Sequence, residues 1–173
     1  MPNNKTDCVL LLDDQPDWIR INTRALEKAG ICNEGFVNRE RALRAVEQNP
    51  DRFNVLIMDV NLGGNPDGVE MARKMFAIKP SANIVLISTE AQIGRHTDQL
   101  EELAKTHVVQ YARKTADEHG GKQVVDIAKS YCRPELATTG GPLAPMKDAA
   151  PPSGGLMIWM EAGSDDGTST DIS

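Results

Sequence analysis

Residues 55–64 read Val55-Leu56-Ile57-Met58-Asp59-Val60-Asn61-Leu62-Gly63-Gly64, an apolar run that ends on a carboxylate and then passes into glycines. A short apolar run without alternation fits a strand covered on both faces of a sheet. Working outward, the run itself spans 54–58. Similar runs occur at 8–12 (CVLLL), 83–87 (NIVLI) and 107–111 (HVVQY), with a shorter one at 35–37 (GFV). Between them the apolar spacing is helical. In 17–30, Trp18, Ile21, Ala25, Leu26 and Ala29 fall on one stripe, opened by Asp17 and stopped by Gly30. The same reading predicts helices near 39–48 (Ala42, Leu43, Val46 inward), 67–78 (Val69, Ala72, Phe76), 91–105 (Leu100, Leu103, Ala104) and 121–132 (Val124, Val125, Ala128). Strand and helix alternating about five times predict the α/β class: an open, doubly wound parallel sheet with right-handed crossovers.

The 173 residues suit one domain, read as residues 1–136. After Leu136 the chain turns to ATTGGPLAPMKDAAPPSGG, with neither periodicity nor enough apolar surface to offset chain entropy. Residues 137–173 are therefore expected to be a disordered tail, a flexible Pro/Gly-rich linker followed by an acidic end. Within it, LMIWM (156–160) leaves two readings open: a frayed terminus, or a short linear motif that docks Ile158 and Trp159 on a partner or back on the domain. A net charge of -6 offers no electrostatic footprint for nucleic acid. No apolar run approaches the length that spans a bilayer, and MPNNKTD lacks a signal-peptide core, so a cytoplasmic protein without membrane insertion is expected. Cys8, Cys32 and Cys132 show no C-x-x-C spacing and are expected to be reduced thiols. His96, His107 and His119 make no i, i+4 pair that would hold a metal.

In open α/β sheets, ligands bind beyond the carboxyl ends of the strands. The first strand ends in Asp13-Asp14, the third in Asp59 and the fourth in Ser88-Thr89, and the fifth is followed by Lys114. Three crowded carboxylates raise one another's pKa unless a cation neutralises them. All-oxygen donors with room for water and a phosphate oxygen suit Mg²⁺, with Mn²⁺ as a substitute. A carboxylate can also serve as nucleophile and form an aspartyl-phosphate, stabilised by positive charge and donors around the phosphoryl oxygens. The cation, the Lys114 ammonium and the Ser88 hydroxyl could supply that shell, with Asp59 as acceptor. Each residue alone has a bland reading: Asp13-Asp14 and Ser88-Thr89 as helix caps, Lys114 as a surface lysine, Tyr111 and Trp18 as core.

The ordered set LLLDDQP, LIMDVNL, VLISTE and YARK, each at a strand end, resembles the receiver domain of two-component response regulators over roughly residues 7–133. The resemblance implies a flavodoxin-like (βα)5 fold of strand order 2-1-3-4-5, in a stand-alone regulator similar to the chemotaxis type. It also implies Mg²⁺ held by Asp13, Asp14, Asp59 and the backbone carbonyl of Asn61. Asp59 becomes the phosphoacceptor, Ser88 and Lys114 bind the phosphoryl group, and Tyr111 rotates inward as Ser88 moves. Asn61 and Glu90 tune the lifetime of the acyl phosphate. The implied partners are a histidine kinase or histidine phosphotransfer protein and a downstream protein target. The implied protein is a monomer or weak dimer, a switch rather than an enzyme beyond its own phosphorylation and dephosphorylation.

Three features depart from that pattern. Lys114 precedes Thr115 rather than proline, which makes a cis peptide there cost about 2.5 to 4 kcal/mol. The loop NLGGNPDG after Asp59 is long and glycine-rich, and 88–114 is drawn out. Two rivals follow: a pseudo-receiver that binds proteins without phosphorylation, and a haloacid-dehalogenase-like phosphatase. The second wants D-x-D where this chain has Asp59-Val60-Asn61.

Overall fold

The computed structural model describes residues 8–63, 67–89, 98–107, 109–114 and 121–132, together with the backbone of 157–159. Strand β1 (Cys8–Leu12) leads to helix α1 (Pro16–Lys28), β2 (Asn33–Phe36), α2 (Arg39–Gln48), β3 (Phe53–Asp59), α3 (Gly68–Ile78) and β4 (Asn83–Ser88). Helix α4 is described over 98–104. Then come β5 (Val109–Arg113), α5 (Lys122–Cys132) and β6 (Met157–Trp159). All pairings are parallel, in the order β2-β1-β3-β4-β5-β6. The expected five-stranded order is therefore present and gains one edge strand.

Alternation along the strands sorts the core into two layers. Leu10, Leu12, Leu56, Met58, Ile84, Leu86 and Tyr111 face α2, α3 and α4, through Val46, Met75 and Leu103 among others. Val9, Leu11, Val55, Ile57, Val85, Ile87 and Ala112 face α1 and α5, through Leu26, Val124 and Ala128. Both faces are covered, which is why the strands read as solid apolar runs. The caps are local: the Asn38 side chain accepts the Arg41 N–H at 2.9 Å, and Asp67 accepts that of Glu70 at 2.9 Å.

Three details differ from the sequence reading. The buried face of α1 carries Ile19, Asn22 and Leu26, while Ile21 is 42% exposed. Hydropathy hid this because Asn22 satisfies its amide internally, donating to the Trp18 carbonyl at 2.8 Å. The fifth strand starts at Val109 rather than His107. His107 instead closes α4, its N–H donating to the Leu103 carbonyl and its ring stacking on Phe76 at 4.2 Å. Cys8 and Cys32 form a disulfide instead of standing as reduced thiols, with Cα atoms 4.5 Å apart. The parallel register decides this, since Val9 pairs with Asn33 and donates to the Cys32 carbonyl, setting the preceding residues side by side.

The backbone of 157–159 pairs with β5, whereas the Ile158 and Trp159 side chains on which the docking reading turns, and the rest of 133–173, lie outside the described residues. Among the described residues no helix is long and apolar enough to cross a membrane.

Candidate functional site

The carboxyl ends of β1, β3, β4 and β5 open onto one cluster. Asp13 continues the β1 ladder, its N–H donating to the Phe36 carbonyl at 3.1 Å. Its Oδ1 accepts the Gln15 N–H at 2.9 Å, which turns the chain into α1, where Pro16 has no N–H and needs no acceptor. Asp13 is wholly buried and Asp14 exposed. Asp59 is the last residue of β3 and only 3% exposed; its Oδ1 lies 3.4 Å from the Asn61 N–H. Lys114 is placed at the end of β5 by its N–H, which donates to the Ser88 carbonyl at 2.7 Å.

The charged groups meet in the middle. Lys114 Nζ donates to Asp13 Oδ2 at 2.6 Å and to Asp59 Oδ2 at 3.5 Å. The carboxylate oxygens of Asp13, Asp14 and Asp59 come within 4.8 Å of one another. Burial raises the pKa of Asp13; the Lys114 and Gln15 hydrogen bonds and the Lys114 charge oppose this, and Asp14 adds to it. Burial likewise raises that of Asp59, opposed mainly by the Lys114 charge and reinforced by Asp13. Among the described residues the Lys114 ammonium bonds two of these three carboxylates, so the cluster is a trap for further positive charge.

Two glycines make the space. Gly63 has φ +66°, a conformation that suits glycine, and a Cβ there would stand 2.7 Å from Asp14 Oδ2. Gly68, at the start of α3, donates its N–H to the Val60 carbonyl at 2.8 Å, and a Cβ on it would meet the Asp59 carbonyl. An oxygen-only donor set, with a cradle kept open beside the exposed carboxylate, fits a hard divalent cation.

Ser88 is fully buried at the end of β4. Tyr111 is inward, 4% exposed, and its hydroxyl makes no hydrogen bond of regular geometry among the described residues. Burial pushes its pKa up to about 12, with the nearby Ser88 side chain lowering it and Asp59 raising it. Glu90, Thr115 and residues 64–66 lie outside the described residues, so the lifetime role of Glu90, the Lys114-Thr115 peptide and the middle of the loop are not placed.

Sequence reading missed Trp18. Lys114 Nζ sits 5.1 Å from its ring centroid, so the aromatic face and two carboxylates together aim the ammonium. The signal was its place in the first turn of a helix that starts just after Asp13-Asp14.

A family model described as "Response regulator receiver domain" matches residues 9–125, and the chain belongs to that family. It is 32% identical over 90 residues to the response regulator receiver protein CpdR of Brucella abortus (strain 2308), covering 52% of this chain and 72% of that protein. The fold is similar to a response regulator receiver domain protein from Clostridium thermocellum, at TM-score 0.58 and 17% identity over 72% of this chain and 94% of that one. It is also similar to a Burkholderia pseudomallei response regulator with a phosphorylated aspartic acid and a calcium ion, at TM-score 0.53 and 18% identity over 74% and 67% of the two chains.

Proposed function

We propose that this receiver accepts a phosphoryl group on Asp59 from a phosphohistidine of a histidine kinase or phosphotransfer protein, and signals to a downstream protein through the change that follows. The observation that carries the reading is a buried strand-end carboxylate with Lys114 Nζ 3.5 Å from its Oδ2 and two further carboxylates around it. An Asp59 oxygen attacks phosphorus as the P–N bond to the donor imidazole breaks, and the released imidazole keeps the electron pair and takes up a proton. Lys114 helps hold Asp59 ionised against burial and pairs with the phosphoryl oxygens. Asp13, Asp14, Asp59 and the Asn61 carbonyl would hold Mg²⁺, or Mn²⁺ in its place. That ion supplies the charge that makes the carboxylate cluster and an incoming phosphate compatible. Ser88 would hydrogen-bond the phosphoryl group. Because Tyr111 already points inward, a switch at this residue would change which group its hydroxyl meets rather than carry the ring inward.

The test is intact mass after incubation with acetyl phosphate. One added phosphate that needs Mg²⁺ is expected, and Asp14→Ala should lose most of the labelling rate together with its Mg²⁺ dependence. No added mass in a folded protein would favour a pseudo-receiver and sink the proposal. Ser88→Ala should still take the label but lose most of the amide-shift change across 109–114 that accompanies it in the wild type. An undiminished change in that variant would remove Ser88 from the switch.

A further inference from the structure

β5 would be the edge of the sheet if β6 were absent, with a row of main-chain N–H and C=O groups turned outward. Such an edge invites another extended chain. Here it is covered in parallel register, Gln110 beside Met157, Tyr111 beside Ile158 and Ala112 beside Trp159. The covering strand differs from the others in three ways. It is three residues long, residues 133–156 separate it from α5, and its run LMIWM lies between PPSGG and EAGSDDG. It is thus an isolated apolar segment in a polar, Gly/Pro-rich stretch, delivered to the edge from a distance in sequence.

We propose that the outer edge of β5 is an interaction surface for one extended apolar segment, and that residues 157–159 of the same chain occupy it as a detachable strand. Strand addition draws its affinity from main-chain hydrogen bonds and its selectivity from alternate side chains. Three residues make few such bonds, so the segment would bind weakly as a separate peptide. Its tether raises its effective concentration to about the millimolar range, enough to keep a weak strand docked. A partner with a longer apolar strand, entering parallel to β5, would have to displace it. The covered stretch ends two residues before Lys114, so the guarded edge adjoins the cluster. The inference stands apart from the phosphoacceptor reading, since it rests on the main-chain pairing of 157–159 with β5 alone.

Hydrogen exchange on the full chain tests it. In the wild type, the paired amides among 157–159 and 110–112 should exchange at least about tenfold slower than in an unstructured peptide, independently of protein concentration. Since the Lys114 N–H donates to the Ser88 carbonyl, alternation turns the amides of 110 and 112 to β4 and that of Tyr111 to β6. Trp159→Pro removes the β6 donor opposite Tyr111; it should restore fast exchange at Tyr111 and leave 110, 112, β1 and β3 unchanged. A fluorescein-labelled peptide of residues 155–161 (GLMIWME) should then bind this variant about tenfold or more tighter than the wild type. Unprotected amides at Tyr111 and Trp159 in the wild type would overturn the proposal without any variant. Protection that grows with concentration would assign the strand to a second copy and overturn occupancy within one chain. Faster exchange in β1 and β3 of the variant would make β6 part of the core, and equal peptide binding by both proteins would remove the competition; either result overturns the detachable strand.

Discussion

Asp59→Asn takes up no phosphate from acetyl phosphate, with or without Mg²⁺, and is more stable than the wild type at neutral pH in EDTA. The loss of label follows from chemistry, since an amide oxygen is a poor nucleophile and the variant leaves no other strand-end carboxylate in Asp59's place. The gain in stability follows from electrostatics. Burial raises the Asp59 pKa above its ordinary 3.8, and Asp13 raises it further, despite Lys114. A carboxyl raised in the folded state contributes stability that is fully present below the unfolded value and is lost as pH rises through the folded value. The wild type therefore gives up this contribution on the way to neutrality, whereas the amide of the Asp59→Asn variant has nothing to ionise. The difference should be small near pH 4 and grow toward pH 7. Millimolar Mg²⁺ should raise the wild-type melting temperature and narrow the gap. Urea unfolding at both pH values, with and without Mg²⁺, checks the sign. An Asn variant that still labels would move the acceptor elsewhere, and one less stable than wild type at pH 7 in EDTA would mean that the Asp59 charge is already compensated.

Gly68→Ala is expected to be among the most damaging single-methyl additions in the molecule, at about 3 kcal/mol. Alanine is normally the better helix residue, by up to about 1 kcal/mol over glycine. Here the added Cβ would run into the Asp59 carbonyl oxygen and stand 2.8 Å from the Val60 Cα, both main-chain atoms that cannot rotate away. Relief requires moving α3 off the sheet or moving Asp59. The second route would drag the acceptor away from Lys114 and Asp13, so labelling should fall along with stability. Thermal unfolding and acetyl phosphate labelling of the same preparation check both. A Gly68→Ala protein with wild-type stability would show that the approach of α3 to β3 is looser than it stands here.

The fold and most of the site can be read from the chain because the relevant signals are local. Solid apolar runs at 8–12, 54–58 and 83–87 mark strands covered on both faces, and a polar residue at the end of each marks the ligand-facing edge. Asp13, Asp14, Asp59, Ser88 and Lys114 are found this way, and the structure brings their strand ends together. Trp18 and Gly68 are not. An aromatic at the start of an amphipathic helix reads as core, and its stacking on Lys114 joins residues far apart in sequence. A glycine opening a helix reads as an ordinary start, and the main chain it nearly touches appears only once α3 is laid on β3.

By itself the sequence determined the α/β class, the alternation of elements and the carboxylate that ends β3, because strand burial and helix period are written in neighbouring residues. The tertiary structure alone decided the face of α1 that turns inward, the Cys8–Cys32 pairing, the triangle of Lys114 with Asp13 and Asp59, and the seat of Met157–Trp159 on β5. Each of these depends on the register between segments distant in the chain. Register is set by the packing of whole layers, which no local window contains.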